Sequence, residues 1–183
     1  VVILDKREIR KKFKEIRKNL RGNITEDFFE SDIYVKAGKI FTFVSYGSEI
    51  NTCTIIKKAF EDKKEVAVPY MTGKPHEMVF LKINSFDELK PNKMGIPEPE
   101  YNRENIMISD KNTLVIVPGL AFDSEFYRTG YGGGYYDKYL SENEYAIAAG
   151  VCFEEQITDR VPRDEYDVKM DVIVTDRRIL RRI

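Results

Sequence analysis

The chain has 183 residues, enough for one domain with a real core, and its 42% hydrophobic and 33% charged residues fit a soluble globular protein rather than a disordered one. A formal net charge of -1 argues against non-specific nucleic-acid binding by the whole surface, and no apolar run approaches the roughly 20 residues that span a bilayer. Val1 to Leu4 is too short for a signal-peptide core, and Cys53 and Cys152 are too few and too far apart for a disulfide scaffold or a zinc site, so the expected location is the cytoplasm.

Asp5 to Arg21 has the pattern of an amphipathic helix, with Asp5 and Glu8 spaced as a capping box and Ile9, Phe13, Ile16 and Leu20 on one face. The other face is basic: Lys6, Arg7, Arg10, Lys11, Lys12, Lys14, Arg17, Lys18 and Arg21 outnumber Asp5, Glu8 and Glu15. A solvated surface accounts for such a face; an RNA-contacting helix and an arm that brings cations to a bound triphosphate are the sharper alternatives. Thr25 to Ala37 reads as a second helix, capped by Thr25 and stopped at Gly38. Lys39 to Ser45 is a strand that runs into Tyr46, Gly47, Ser48 and Glu49. Asn51 or Thr52 then caps a helix to about Glu61, with Ile55, Ile56, Ala59 and Phe60 turned inward.

Glu65 to Val68 is a short strand ending at Pro69-Tyr70, and Met78 to Ile83 is another. His76, the only histidine, sits in the loop between them, and no Gly-x-Ser-x-Gly elbow accompanies it. Tyr70 is either a core or interface tyrosine or a platform for a flat ring. Pro91 to Asp110 carries Pro91, Gly95, Pro97 and Pro99 and reads as a stiff surface crossing.

The stretch from Thr113 to Leu140 concentrates the chemistry. Thr113 to Val117 is a buried strand ended by Pro118-Gly119, and the loop that follows carries Arg128, Gly130 and Gly132 to Gly134 before a helix begins near Tyr135. In an open α/β sheet the carboxyl ends of strands are where ligands bind. Glycines let successive amides turn inward, and a helix start adds unpaired N–H groups, so the loop has the makings of a phosphate site. Its spacing is neither that of a dinucleotide loop nor that of a P-loop, and a tight turn is the plainer explanation. Asp137, in the helix's first turn, suits the dipole and is able to hold a divalent cation. Tyr145 to Val151 and Val172 to Val174 are further strands, and Arg177 to Arg182 is a basic tail. The alternation of strands and helices predicts an α/β fold, one domain over 1–183 built on a mostly parallel sheet flanked by helices.

Pro118 to Asp123 (PGLAFD), the arginine after it and Gly130 to Leu140 (GYGGGYYDKYL) resemble the signature of the 5-formyltetrahydrofolate cyclo-ligase, or methenyltetrahydrofolate synthetase, family. Gly95 to Pro99, Phe153, Gln156, Val161, Pro162 and the Asp164 to Asp176 stretch extend the likeness, which runs from Lys6 to Asp171. It implies a fold similar to the sugar-phosphate isomerase and CoA-transferase architecture. It also implies a ligase that uses ATP and Mg²⁺ to close 5-formyltetrahydrofolate to 5,10-methenyltetrahydrofolate, releasing ADP and phosphate. A monomer is expected, with ATP and the folate as partners and neither membrane nor nucleic acid among them.

Carried over residue by residue, the ATP site takes Lys6, Arg7, Glu8, Ile9 and Arg10 from the first helix, where 1–21 is the basic segment. From the strand, loop and helix of 113–140 it takes Arg128, Thr129, Gly130, Tyr131, Gly132, Gly133, Gly134, Tyr135 and Tyr136. Val44, Glu49 and Tyr131 to Tyr135 would contact the folate, and Asp137 and Asp167 the metal. No residue is singled out as a catalytic base or nucleophile, since such a reaction needs positioning and charge stabilisation. The chain departs from the family pattern at Phe126, where glycine is usual, and at Thr129, where leucine is. Phe126 takes a left-handed conformation only at a cost, so a differently shaped loop is expected before Arg128. Asp123 reads as a turn or capping aspartate, and Asp171 as either structural or ligating. The rival functions are an ATP-binding paralogue with another substrate, a nucleotide- or RNA-binding module without turnover, and a sugar-phosphate isomerase or acyl transferase.

Overall fold

The computed structural model of the protein describes residues 4–183, so Val1 to Ile3 of the stretch weighed above as a signal core lie outside the described residues. Helix α1 (Lys6–Arg17) starts at the expected capping box: Asp5 Oδ1 accepts from the Glu8 amide and Glu8 Oε2 from the Asp5 amide, each at 2.8 Å. It ends four residues before Arg21. Ile9 and Phe13 are buried against Leu120, Ala121 and Val161, but Ile16 faces solvent and Arg17 is buried next to it. The expected second helix is broken into α2 (Asp27–Glu30) and α3 (Asp32–Val35). Ser31 between them is extended, at φ -71° and ψ 153°, and its hydroxyl donates to the Phe28 carbonyl at 2.6 Å. A serine that satisfies the preceding turn itself competes with continuation of the helix.

Strand β1 (Lys39–Thr42) is followed by α4 (Cys53–Glu61), whose first amide donates to Asn51 Oδ1 at 3.0 Å. β2 (Glu65–Met71) continues through Pro69, beyond the predicted end, because its parallel register with β1 stops at Ala67 and its antiparallel pairing with β3 (Met78–Ile83) carries on to Met71. The proline-rich crossing forms a small hairpin, β4 (Leu89–Pro91) with β5 (Pro97–Pro99), and a short β6 (Ile106–Met107). β7 (Thr113–Val117) is buried throughout; β8 (Ala121–Asp123) and β9 (Arg128–Thr129) form a tight hairpin that leads through the glycines to α5 (Tyr135–Glu142). β10 (Ile147–Val151), β11 (Ile157–Thr158), β12 (Val172–Val174) and β13 (Ile179–Arg181) complete the chain. β13 occupies part of what the sequence presented as a basic tail.

The main sheet has eight strands in the order β13-β12-β10-β7-β1-β2-β3-β6. The five from β12 to β2 are parallel, whereas β3 and β13 run antiparallel to their inner neighbours. This is the mostly parallel α/β sheet that the alternation predicted. Ile40, Leu114 and Ile116 face α4, while Phe41, Val115 and Val117 face α5, so alternate residues of the central strands serve two cores. Strand numbers rise in both directions from the β1–β7 pair. The loops leaving these two strands therefore diverge at one point on the carboxyl edge, the place where open α/β sheets bind ligands.

Phe126 contradicts the expected avoidance of a left-handed turn: its φ is 70°. Its amide donates to the Asp123 carbonyl at 2.9 Å, its carbonyl accepts from Met170 at 2.8 Å, and its ring is buried in the α5-side core. The strain of about 1–2 kcal/mol is offset by burial of an aromatic ring.

Candidate functional site

Helix α1 lies across the glycine loop. Arg10 Nε donates to the Gly130 carbonyl at 2.9 Å, and a Cβ on Gly132 would stand 3.5 Å from the Arg10 guanidinium carbon. Lys6 Nζ donates to Asp164 Oδ2 at 2.6 Å and to Asp167 Oδ2 at 2.9 Å. Burial pulls the Lys6 pKa down, but the two carboxylates more than offset it, and the ammonium stays above its ordinary value. The stretch from Lys6 to Arg10 thus splits by helical geometry. Arg10 reaches the loop and Lys6 the Asp164 and Asp167 carboxylates, Arg7 faces solvent, Glu8 is used by the capping box and Ile9 by the core.

The loop itself needs its glycines. Gly132 and Gly134 have φ of 107° and 69°, a Cβ on Gly130 would stand 2.6 Å from Arg128 Nη1, and one on Gly133 would overlap the Tyr135 ring. Gly134 is the N-cap of α5 and offers no side chain to its first-turn amides. Arg128 is buried beneath, its Nη2 at 3.2 Å from Asp137 Oδ2 and its guanidinium carbon 5.9 Å from the Tyr136 ring centroid. Its Nε has no partner, nor have Thr129 Oγ1 and Tyr136 Oη, although all three atoms are buried. Burial pushes the Tyr136 phenol up, and the Glu49 charge adds to it. Buried polar atoms are almost always paired, and of the four orphans among the described residues these three flank the glycine loop, while the fourth, Arg163 Nε, lies beside Asp123.

Glu49 comes to the same place from the loop after β1. Its Oε1 accepts from the Tyr46 amide and its Oε2 from the Tyr131 hydroxyl, both at 3.0 Å. Burial raises its carboxyl pKa against the opposing pull of the Tyr46 amide, Tyr131 and Arg17. Val44 is buried in the core facing α4, two residues past β1, which ends at Thr42 rather than at the expected Ser45.

Two side chains join the site that the sequence did not single out for it. Arg17 Nη1 donates to the Tyr131 hydroxyl at 2.5 Å and Arg17 Nε to Ser48 Oγ at 3.1 Å. The signal was present: at about 100° per residue, positions 6, 10 and 17 fall within about 40° on one helical stripe. His76 Nδ1 donates to the Gly133 carbonyl, clasping the loop from the β2–β3 turn; nothing local in the sequence pairs the two.

For a cation, the chain offers Asp137 and Asp167. Asp137 Oδ1 accepts from the Val168 amide at 3.0 Å, so the segments carrying the two carboxylates touch. Asp167 Oδ2 holds Lys6 and, at 2.7 Å, the Asp164 amide. Among the described residues no group of three or more His, Cys, Asp or Glu gathers for a metal. Two carboxylates suit an ion whose other ligands are phosphate and water, which is how Mg²⁺ is usually held. Asp123 is structural: its carboxylate accepts from the Glu125, Tyr127 and Val161 amides at 3.0 Å each and from Arg163 at 3.1 Å. Asp171 accepts from the Ala148 amide at 2.8 Å and ties β10 to the start of β12. Tyr70 is half-buried, its ring 5.3 Å from that of Tyr101.

The model of the 5-formyltetrahydrofolate cyclo-ligase family matches residues 3–176. The chain belongs to this family. It is 35% identical over 148 residues to a Schizosaccharomyces pombe relative, covering 74% of this chain and 72% of that one. It is 27% identical to the 5-formyltetrahydrofolate cyclo-ligase of Haemophilus influenzae, covering 92% of this chain and 97% of the relative. Among solved structures it resembles the 5,10-methenyltetrahydrofolate synthetase of Aquifex aeolicus, with a TM-score of 0.79 and 28% identity over 96% of this chain and 92% of that one. No helix among the described residues is long and apolar enough to cross a membrane.

Proposed function

We propose that this cyclo-ligase converts 5-formyltetrahydrofolate to 5,10-methenyltetrahydrofolate at the switch point between β1 and β7, with ATP as the co-substrate. The observation that carries the reading is the set of unpaired buried donors, Arg128 Nε, Thr129 Oγ1 and Tyr136 Oη, beneath a glycine loop that meets Glu49 through Tyr131. A formamide oxygen is a poor leaving group as hydroxide. The formyl oxygen therefore attacks the γ-phosphorus, its O–P bond forming as the bond to the departing ADP breaks. The N10 amine attacks the activated carbon; the new C–N bond closes the ring, the C–O bond breaks with loss of phosphate, and the N10 proton passes to solvent.

The chain's own contribution is positioning and charge. Arg128, the first-turn amides of α5 and the loop amides of Gly130 to Gly134 hold phosphate oxygens. Lys6 and Arg10 neutralise them from the α1 side. Glu49 and the Tyr131 to Tyr135 stretch orient the folate, with Val44 as a wall behind. Asp137 and Asp167 hold Mg²⁺, which when bound screens the phosphate charges. Arg7, Glu8 and Ile9 serve the site only by shaping α1. Residues 1–183 act as a single cyclo-ligase domain and as a monomer, and the two free thiols suit the cytoplasm.

The test is the near-ultraviolet absorbance of 5-formyltetrahydrofolate with the protein and Mg²⁺, with and without ATP. ATP-dependent growth of the methenyl band is the expected result. Tight Mg-ATP binding with no band would retain the nucleotide site and assign another substrate.

A further inference from the structure

Arg17 is 7% exposed, yet its hydrogen-bond partners are two neutral oxygens, those of Tyr131 and Ser48. Burying a guanidinium against neutral groups is costly, and an apolar side chain at this helical position would pack with less desolvation. What an arginine adds is direction. Its planar fork spans two loops at once, Ser48 after β1 and Tyr131 in the glycine loop, and its guanidinium carbon lies 5.6 Å from the Tyr131 ring centroid. By donating to the phenol oxygen at 2.5 Å it leaves the phenol proton directed at Glu49 Oε2, 3.0 Å away. The Tyr46 amide holds the other oxygen of Glu49. A chain of bonds therefore runs from the buried cation through a tyrosine to a carboxylate, and each hydrogen bond in such a chain strengthens the next.

We infer that Arg17 is a positioning residue: acting through Tyr131, it fixes Glu49 in the place and rotamer that the folate side of the site requires. This inference rests on the proposed activity. It also gives α1 a second task. Arg10 holds the glycine loop and Lys6 the Asp164 and Asp167 carboxylates, whereas Arg17, further along the same stripe, ties that loop to the segment after β1. The helix joins the two substrate sides rather than covering one of them.

Steady-state kinetics and ATP binding without folate, measured on Arg17→Ala, Tyr131→Phe and the double variant, test the inference. Either single substitution is expected to raise KM for 5-formyltetrahydrofolate about tenfold, the effect of losing one hydrogen bond to a charged group. ATP affinity should stay within about twofold of the parent. The double variant should be no worse than the more affected single one, because both cut the same chain. Arg17→Lys keeps the charge but not the fork and should recover less than half of the loss on a logarithmic scale. Tyr131→Phe removes one hydroxyl from a partly exposed loop residue and keeps the test informative if Arg17→Ala fails to fold. A folate KM unchanged in Tyr131→Phe, additive penalties in the double variant, or an equal loss of ATP affinity would each overturn the inference while leaving the activity in place. Failure of the parent chain to form the methenyl product removes the proposed activity and this inference with it.

Discussion

Two turns follow β7 on one short stretch of chain, and they differ in how many buried polar atoms stand unpaired beside them. In the turn between β8 and β9, the buried carboxylate of Asp123 takes four donors and leaves no capacity unused. In the glycine loop after β9, buried Arg128 Nε and Thr129 Oγ1 have no partner, and neither has the hydroxyl of Tyr136 at the start of α5. Both turns hold left-handed residues, Phe126 in one and Gly132 and Gly134 in the other. Backbone conformation therefore does not separate scaffold from site. The number of orphaned buried atoms does, with three beside the glycine loop against one, Arg163 Nε, beside Asp123.

The contrast predicts that substitutions in the first turn cost stability and those in the second cost activity. Asp123→Ala should lower the unfolding free energy by about 3–5 kcal/mol, because the Glu125, Tyr127 and Val161 amides lose their acceptor while Arg163 keeps Glu125; urea denaturation measures it. A loss below about 1 kcal/mol would mean that water replaces the carboxylate. Asp137→Asn should reduce turnover about 10²-fold through loss of charge beside the phosphates, while stability falls by about 1–3 kcal/mol, because the side chain still bonds the Val168 amide but turns a donor toward buried Arg128. A melt showing equal losses in the two quantities, compared in kcal/mol, would place Asp137 with the scaffold.

Phe126→Gly sharpens the same comparison. It relieves the left-handed strain but gives up a buried ring, for a net loss of about 2 kcal/mol, and kcat of the folded protein should be unaltered. A gain in stability would show that the strain exceeds the packing. Lys6→Ala should raise KM for ATP about tenfold, with the folate KM unaffected; an unchanged ATP constant removes Lys6 from the phosphate side.

The smallest effect is in pH dependence. Folding raises the Glu49 pKa, so the native state binds that proton more tightly than the unfolded chain does. The stabilisation is complete below the ordinary carboxylate value of about 4.3 and is lost as pH rises through the raised native value. Glu49→Gln escapes this loss. Its Tm relative to the parent should therefore rise as pH increases from about 4.3 through the raised native value, while its folate kcat/KM falls. A Tm difference independent of pH would mean that Glu49 titrates normally.

Local pattern made several elements readable. β3, β7 and β12 begin and end where their apolar runs do, and α5 starts directly after the glycines. The capping box of α1 was likewise visible, since it depends on residues close together in the chain. The break at Ser31, the extension of β2 through Pro69 and the edge strand β13 were not, because they turn on competing bonds or on neighbours distant in sequence.

The sequence by itself determined the alternation of strands and helices, the glycines that admit a close backbone approach and the cations at helical spacing on α1. These follow from propensity, sterics and period, which act over a few residues. Only the tertiary structure decided that Arg17 turns inward to Tyr131, that Lys6 meets Asp167 and that His76 clasps Gly133. Only it decided that Phe126 accepts a strained turn in exchange for a place in the core. Each of those outcomes is set by which distant segment the sheet order brings alongside, where burial and pairing outweigh local preference.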